Sequence, residues 1–185
     1  MAEMSMKTLE MGIKGLEMSA KKLFVAAAIG AVVLATAANA AEIVRHKIPG
    51  SDFPIALAVE IPTDAKVVNL SGALPSVKDA DAPKGSIESY GTTEDQTIST
   101  LENIKHTLES IGLEMGDVIK MQVFLVGDPK NSGKMDFGGF MNGYRQFFGT
   151  EGQPNLPTRS VFQVAGLASS GALVEIEVVA IKKPK

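Results

Sequence analysis

The chain contains no cysteine and only two histidines, His46 and His106. Without thiols there is no disulfide framework, no thiolate nucleophile and no cysteine to carry a lipid anchor. The histidines stand far apart, with no HxxxH or similar spacing, so they make a poor metal site and leave little material for a hydrolase triad. The phosphate-binding loop, the GxGxxG fingerprint, the GxSxG nucleophile elbow and the HExxH zinc motif are all missing. The formal net charge is −3, and no basic stripe marks a nucleic-acid partner.

What stands out instead is the N-terminus. Lys21 and Lys22 precede an apolar run over residues 23–38, interrupted only by Gly30 and Thr36, and Ala38-Asn39-Ala40 offers small residues at −3 and −1. That is the order of a cleavable secretory signal. The run is shorter than the roughly 20 residues a membrane span needs; a retained N-terminal anchor is the alternative. Cleavage near Ala40/Ala41 would leave a periplasmic or secreted domain, residues 41–185, with a net charge of −4 and no remaining membrane segment. Met18 opens a compact Met-Ser-Ala-Lys-Lys-Leu-Phe n-region, so it competes with Met1 as the start. An exported domain without disulfides relies for stability on its core or on oligomerisation.

By length, residues 41–185 form one domain. Residues 55–60 and 66–70 read as short strands around a Pro62-Thr63-Asp64 turn. Residues 76–92 read as a long polar loop. Ile98, Leu101, Ile104, Leu108 and Ile111 recur at helical spacing over residues 93–111, with Thr93 and Gln96 as a capping box and Gly112 as the left-handed stop. Residues 118–126 form a buried strand. Residues 136–148 form a second amphipathic helix, with Asp136 as its cap and Phe137, Phe140, Tyr144 and Phe147 toward the core. Residues 160–165 and 173–181 are the last two strands. This order argues an α+β domain: a mixed sheet with two helices on one face.

Three polar features interrupt that pattern. Glu175 and Glu177 alternate with Val174, Ile176 and Val178, so both carboxylates share the sheet face opposite those residues. The same face carries Leu173, Val179 and Ile181. Either a partner subunit covers it or the glutamates are simply solvated. Arg159, at a strand entry, offers a planar fork that fits a carboxylate. It can equally pair with Glu175 or Glu177. Ser71-Gly72 at a strand end either places a hydroxyl and an amide in a cleft or merely ends the strand.

Leu156-Pro-Thr-Arg-Ser-Val-Phe-Gln-Val-Ala-Gly-Leu167 and Ala172-Leu-Val-Glu-Ile-Glu-Val-Val-Ala-Ile181 closely resemble the C-terminal signature of the RidA family, the YjgF-like reactive intermediate or imine deaminases. Gly116-Asp-Val-Ile-Lys-Met-Gln-Val-Phe-Leu125 resembles its central strand, and Leu70-Ser-Gly-Ala-Leu-Pro75 its early strand-end motif. The resemblance runs over nearly all of residues 44–183. It implies a chorismate-mutase-like fold, a homotrimer with clefts between subunits, and hydrolysis of 2-imino acids to 2-keto acids and ammonia without metal or organic cofactor. By the same resemblance Arg159 is the substrate-carboxylate arginine, Glu175 positions the attacking water, Ser71 lines the pocket and the Val161 backbone meets substrate. A non-catalytic trimer that binds small carboxylates or acts as a stress-related holdase is the second reading. A ribonuclease, reported among relatives, is disfavoured by the acidic charge and the export signal. Two positions depart from the family pattern. Asp52-Phe-Pro-Ile-Ala56 replaces the stretch that carries a cleft tyrosine, and Met141 stands where a pocket asparagine is expected, with Asn142 one residue off.

Overall fold

The computed structural model describes residues 42–182. The export signal read at residues 1–40 lies outside the described residues. Strands β1 (Val44–Lys47) and β2 (Ala56–Glu60) pair antiparallel as a separate ribbon. Strands β3 (Lys66–Asn69), β4 (Val118–Val126), β5 (Thr158–Val164) and β6 (Val174–Lys182) form a mixed sheet in the order β3-β6-β4-β5, in which β4 and β5 run parallel. The helices are α1 (Ile87–Tyr90), α2 (Thr93–Ser110) and α3 (Phe137–Tyr144).

The two long strands carry the period-two pattern that makes a sheet with one dry face. Met121, Val123 and Leu125 of β4 are fully buried, as are Val174 and Ile176 of β6. They meet Leu101, Ile104 and Leu108 of α2 and Phe140 and Tyr144 of α3. The expected α+β layering, with helices over one sheet face, is what the chain adopts.

Details differ where side chains have other employment. The capping box of α2 sits one residue early: the Thr92 hydroxyl accepts from the Asp95 amide, and the Asp95 carboxylate accepts from the Thr92 amide. Gln96 is not available as a cap because it is buried. Its amide donates to the carbonyls of Gly91 and Gly171, and its oxygen accepts from the Leu173 amide. One side chain thus ties the start of α2 to the entry of β6. The long loop contains the short helix α1, capped by Ser86. Strand β1 was not foreseen. Its Arg45 donates to the carbonyls of Gly116, Val118 and Leu156, pinning the ribbon to the ends of β4 and β5.

Helix α3 ends at Tyr144 rather than near Phe148. The chain then tightens, with the Phe147 and Phe148 amides both donating to the Tyr144 carbonyl. This turn buries Phe148 and leaves Phe147 partly buried against the core, while Phe137, at the start of α3, is 37% exposed. The approach of α3 to α2 depends on Gly143, where an added Cβ would lie 2.8 Å from Thr97 Cβ. That close packing sets the height of α3 above β5.

Gln96→Leu would leave the Leu173 amide and two carbonyls without partners, each a loss of about 1–3 kcal/mol when buried. The variant is expected to lose at least about 2 kcal/mol in urea unfolding, with an unchanged denaturant slope.

Candidate functional site

Arg159 is paired with Met121 across β4 and β5, so it points to the helix side of the sheet. There it meets the apolar face of α3. Its guanidinium carbon lies 4.2 Å from the Tyr144 ring centroid, 5.0 Å from Phe140 and 5.5 Å from Phe53. The guanidinium Nη2 donates to the Met141 thioether at 3.2 Å, a weak acceptor. Its Nη1 is buried and, among the described residues, has no hydrogen-bond partner. Burial pulls the Arg159 pKa below its ordinary value, and Tyr144 opposes that shift. Facing aromatic rings supply only part of the solvation the cation gives up, at most about 2 kcal/mol or somewhat more for a desolvated pair.

Tyr144 is held in turn. Its hydroxyl donates to the Pro54 carbonyl at 2.9 Å. Burial raises its pKa to about 12, so it remains a neutral donor. This bond fixes the segment before β2 and sets Phe53 beside the guanidinium. Val161, two residues along β5, is paired with Val123 and shares the helix side with Arg159. Asn142 is exposed and donates to Glu94, away from this cluster.

Glu175 is paired with Phe124, which is displaced by an odd number of residues from Met121. It therefore stands on the sheet face away from the helices. Its carboxylate lies against Gly72, so closely that a Cβ at that position would overlap the Glu175 Oε1. The chain after β3 runs beside β6, with Ala73 bridged to Ile176. Ser71 is exposed and lines, with Gly72, Asn103 and Thr107, a cleft of about 540 Å³. A second cleft of about 350 Å³, lined in part by Lys105, Glu109 and Gln153, contains none of the expected site residues.

The expected residues thus fall into two groups. Glu175 meets Gly72 on the face away from the helices, and Ser71, the preceding residue, lines the cleft beside α2; Arg159 and Val161 lie on the helix side of β5. The alternative in which Arg159 pairs with Glu175 or Glu177 within the chain is removed, because the sheet separates them. Tyr144 lies in the core as its helical spacing predicts, and Met141 stands where the asparagine is expected; the sequence does not by itself show that both also face the Arg159 guanidinium. The signal was available in hindsight: Phe140, Met141 and Tyr144 share the face of α3 that must oppose β5. His46 pairs with Glu60 on the surface at 2.7 Å, and His106 lies 3.7 Å from Glu109, so neither histidine joins either group.

A mixed sheet with its helices on one face defines an α+β domain, and the same fold is found in YyfB of the conserved Rid protein family of Yersinia pestis. That structure has a TM-score of 0.56 and 19% identity, covering 76% of this chain and 98% of the other. A family model described as Endoribonuclease L-PSP matches residues 58–182. TdcF of Escherichia coli, described as a "putative reactive intermediate deaminase", is 34% identical over 74% of this chain and 93% of its own length. The 2-iminobutanoate/2-iminopropanoate deaminase of Salmonella typhimurium is 34% identical over 48% of this chain and 62% of its own length. The chain belongs to the YjgF/RidA family.

The raised Tyr144 pKa has a consequence for stability. The folded state keeps this proton to about pH 12, whereas an unfolded tyrosine releases it near 10. The stabilising contribution is complete below about pH 10 and is lost as pH rises toward 12. Unfolding followed from pH 9 to about 12 is expected to show this decline, and Tyr144→Phe to remove that part of the slope.

Proposed function

We propose that this protein is an enamine/imine deaminase-like hydrolase, converting small 2-imino acids to 2-keto acids and ammonia. The observation that carries the reading is the buried Nη1 of Arg159, a donor without a partner in an aromatic cage. A carboxylate satisfies such a fork with two parallel charge-assisted hydrogen bonds. Held there, a 2-imino acid presents its imine carbon in a fixed orientation. Glu175 orients a water molecule and takes its proton as oxygen bonds to that carbon. Glu175 returns that proton to the carbinolamine nitrogen, the hydroxyl gives up its own proton as the C=O bond forms, the C–N bond breaks, and ammonia leaves with the keto acid. Ser71 and the Val161 backbone line the substrate's path. A protonated imine is already electrophilic, so the scheme uses no metal or organic cofactor.

Arg159 and Glu175 on opposite faces of one sheet cannot serve one substrate within one chain. The site is completed between copies, in a homotrimer. The Glu175 face supports this reading: Phe162, 46% exposed, stacks on Phe124 there with ring centroids 6.2 Å apart. Removal of residues 1–40 would deliver the domain to the periplasm or outside the cell. It would there meet imines other than those released by cytoplasmic pyridoxal-phosphate enzymes.

One observation favours a second reading, a non-catalytic trimer that binds small carboxylates or acts as a holdase. Phe53, without a hydroxyl, stands beside Arg159 where relatives are expected to carry a tyrosine.

The test is to generate 2-iminopropanoate or a longer imino acid in situ and follow keto-acid release. Arg159→Ala is expected to abolish acceleration over buffer. Glu175→Gln is expected to lower kcat by about 10²-fold or more while carboxylate binding persists. Light scattering should give the mass of three chains. No acceleration with any imino acid, alongside Arg159-dependent carboxylate binding, would select the second reading.

A further inference from the structure

Of the four side chains that contact the Arg159 guanidinium, only Phe53 is exposed. Phe140 and Tyr144 are fully buried and Met141 is 4% exposed, whereas Phe53 is 38% exposed. Any carboxylate that reaches the guanidinium therefore passes along the Phe53 ring, and whatever the carboxylate is attached to comes to rest against it. We propose that Phe53 is the specificity-determining wall of this site, and that it selects 2-imino or 2-keto acids with an aromatic or bulky apolar substituent. This rests on Arg159 as the carboxylate clamp, and it names the substrate class of the proposed deaminase.

Three features support the choice. Phe53 offers only π surface and C–H edges, so a hydroxylated or charged substituent leaves water for nothing in return, while a flat apolar one gains stacking and burial. The backbone that carries the ring is held in place. The next residue is tied by the Tyr144 hydroxyl to the Pro54 carbonyl, and the Phe53 amide donates to the Ser51 hydroxyl at 3.1 Å. The third feature is charge: the Arg145 cation adds a smaller downward push to the Arg159 pKa, after that of burial. A second positive charge there favours the anion and disfavours a cationic substituent.

The experiment compares the affinities of pyruvate and phenylpyruvate by calorimetry, and rates for imines generated in situ from alanine and phenylalanine. Wild type is expected to favour the phenyl compound by about tenfold or more, the discrimination an apolar pocket commonly gives. Phe53→Ala, which also removes one face of the cage, should bring that ratio close to one by weakening phenylpyruvate far more than pyruvate. Phe53→Leu, which keeps an apolar wall without the flat ring, should give an intermediate ratio. Equal affinities in wild type, or a ratio unchanged in Phe53→Ala, would overturn the assignment. If no imine is hydrolysed yet the binding ratio follows Phe53, the deaminase reading fails and the wall stands.

Discussion

A cation withdrawn from water sets the terms for this molecule. Taking a guanidinium out of solvent costs several kcal/mol even after the protein relaxes. The aromatic faces of Tyr144, Phe140 and Phe53 return part of that cost, and a thioether contact returns little more. The remainder is available to an anion. The cage therefore predisposes Arg159 to bind a carboxylate more strongly than an exposed arginine would, since the ligand supplies what the desolvated cation is missing. Much of the surrounding structure exists to hold this arrangement. Gly143 lets α3 close on Thr97, which lowers Phe140, Met141 and Tyr144 onto β5. The Tyr144 hydroxyl then reaches Pro54 and brings the N-terminal segment over the same cation.

The opposite half is organised by a small residue. Glu175 rests where any side chain at position 72 would stand, so the glycine of Ser71-Gly72 is there for space. The carboxylate is also placed from a distance. Gln96 grips the Leu173 amide at the entrance to β6, two residues before Glu175. Helix α2 thus fixes the register of the strand that presents it. Neither contact is a recognition feature, yet both determine where the acid can act.

Much of this was legible in the sequence, for reasons that differ by element. The strands β4 and β6 announce themselves because period-two alternation is enforced by burial of one face. Helix α2 does so because Ile98, Leu101, Ile104 and Leu108 repeat at its pitch, whereas Ile111 lies beyond its end and is exposed. Its cap was misplaced by one residue, since Gln96 has a tertiary partner that local spacing cannot reveal. Strand β1 went unseen because its anchor, Arg45, works by reaching carbonyls more than seventy residues away. At the site, Arg159 and Glu175 stand out as charged residues in otherwise apolar strands, while the roles expected of them come from the family signature. The cage does not stand out, because it joins Phe53 to residues of α3 and β5 that only the fold brings together. Phe53 appeared in sequence as the loss of a tyrosine; in three dimensions it is an aromatic ring retained beside the arginine.

The division of Arg159 and Glu175 between two sheet faces bears on how stability and function are linked. A domain with no disulfide depends on core burial and association. Here the face that carries Glu175 also exposes Phe162 and the edges of Phe124, apolar surface a solitary chain would leave in water. Covering that face with another copy removes this surface and, in the same step, offers Glu175 a neighbour's helix side. If the reactive pair forms only across that contact, a dissociated chain has an arginine without an acid and an acid without an arginine. It retains carboxylate affinity but loses hydrolysis. The pattern would be opposite for a site contained in one chain, where dilution weakens neither. A cleft built this way would make assembly a condition of activity, and it would leave the substrate's identity to the one cage wall that each chain presents on its own.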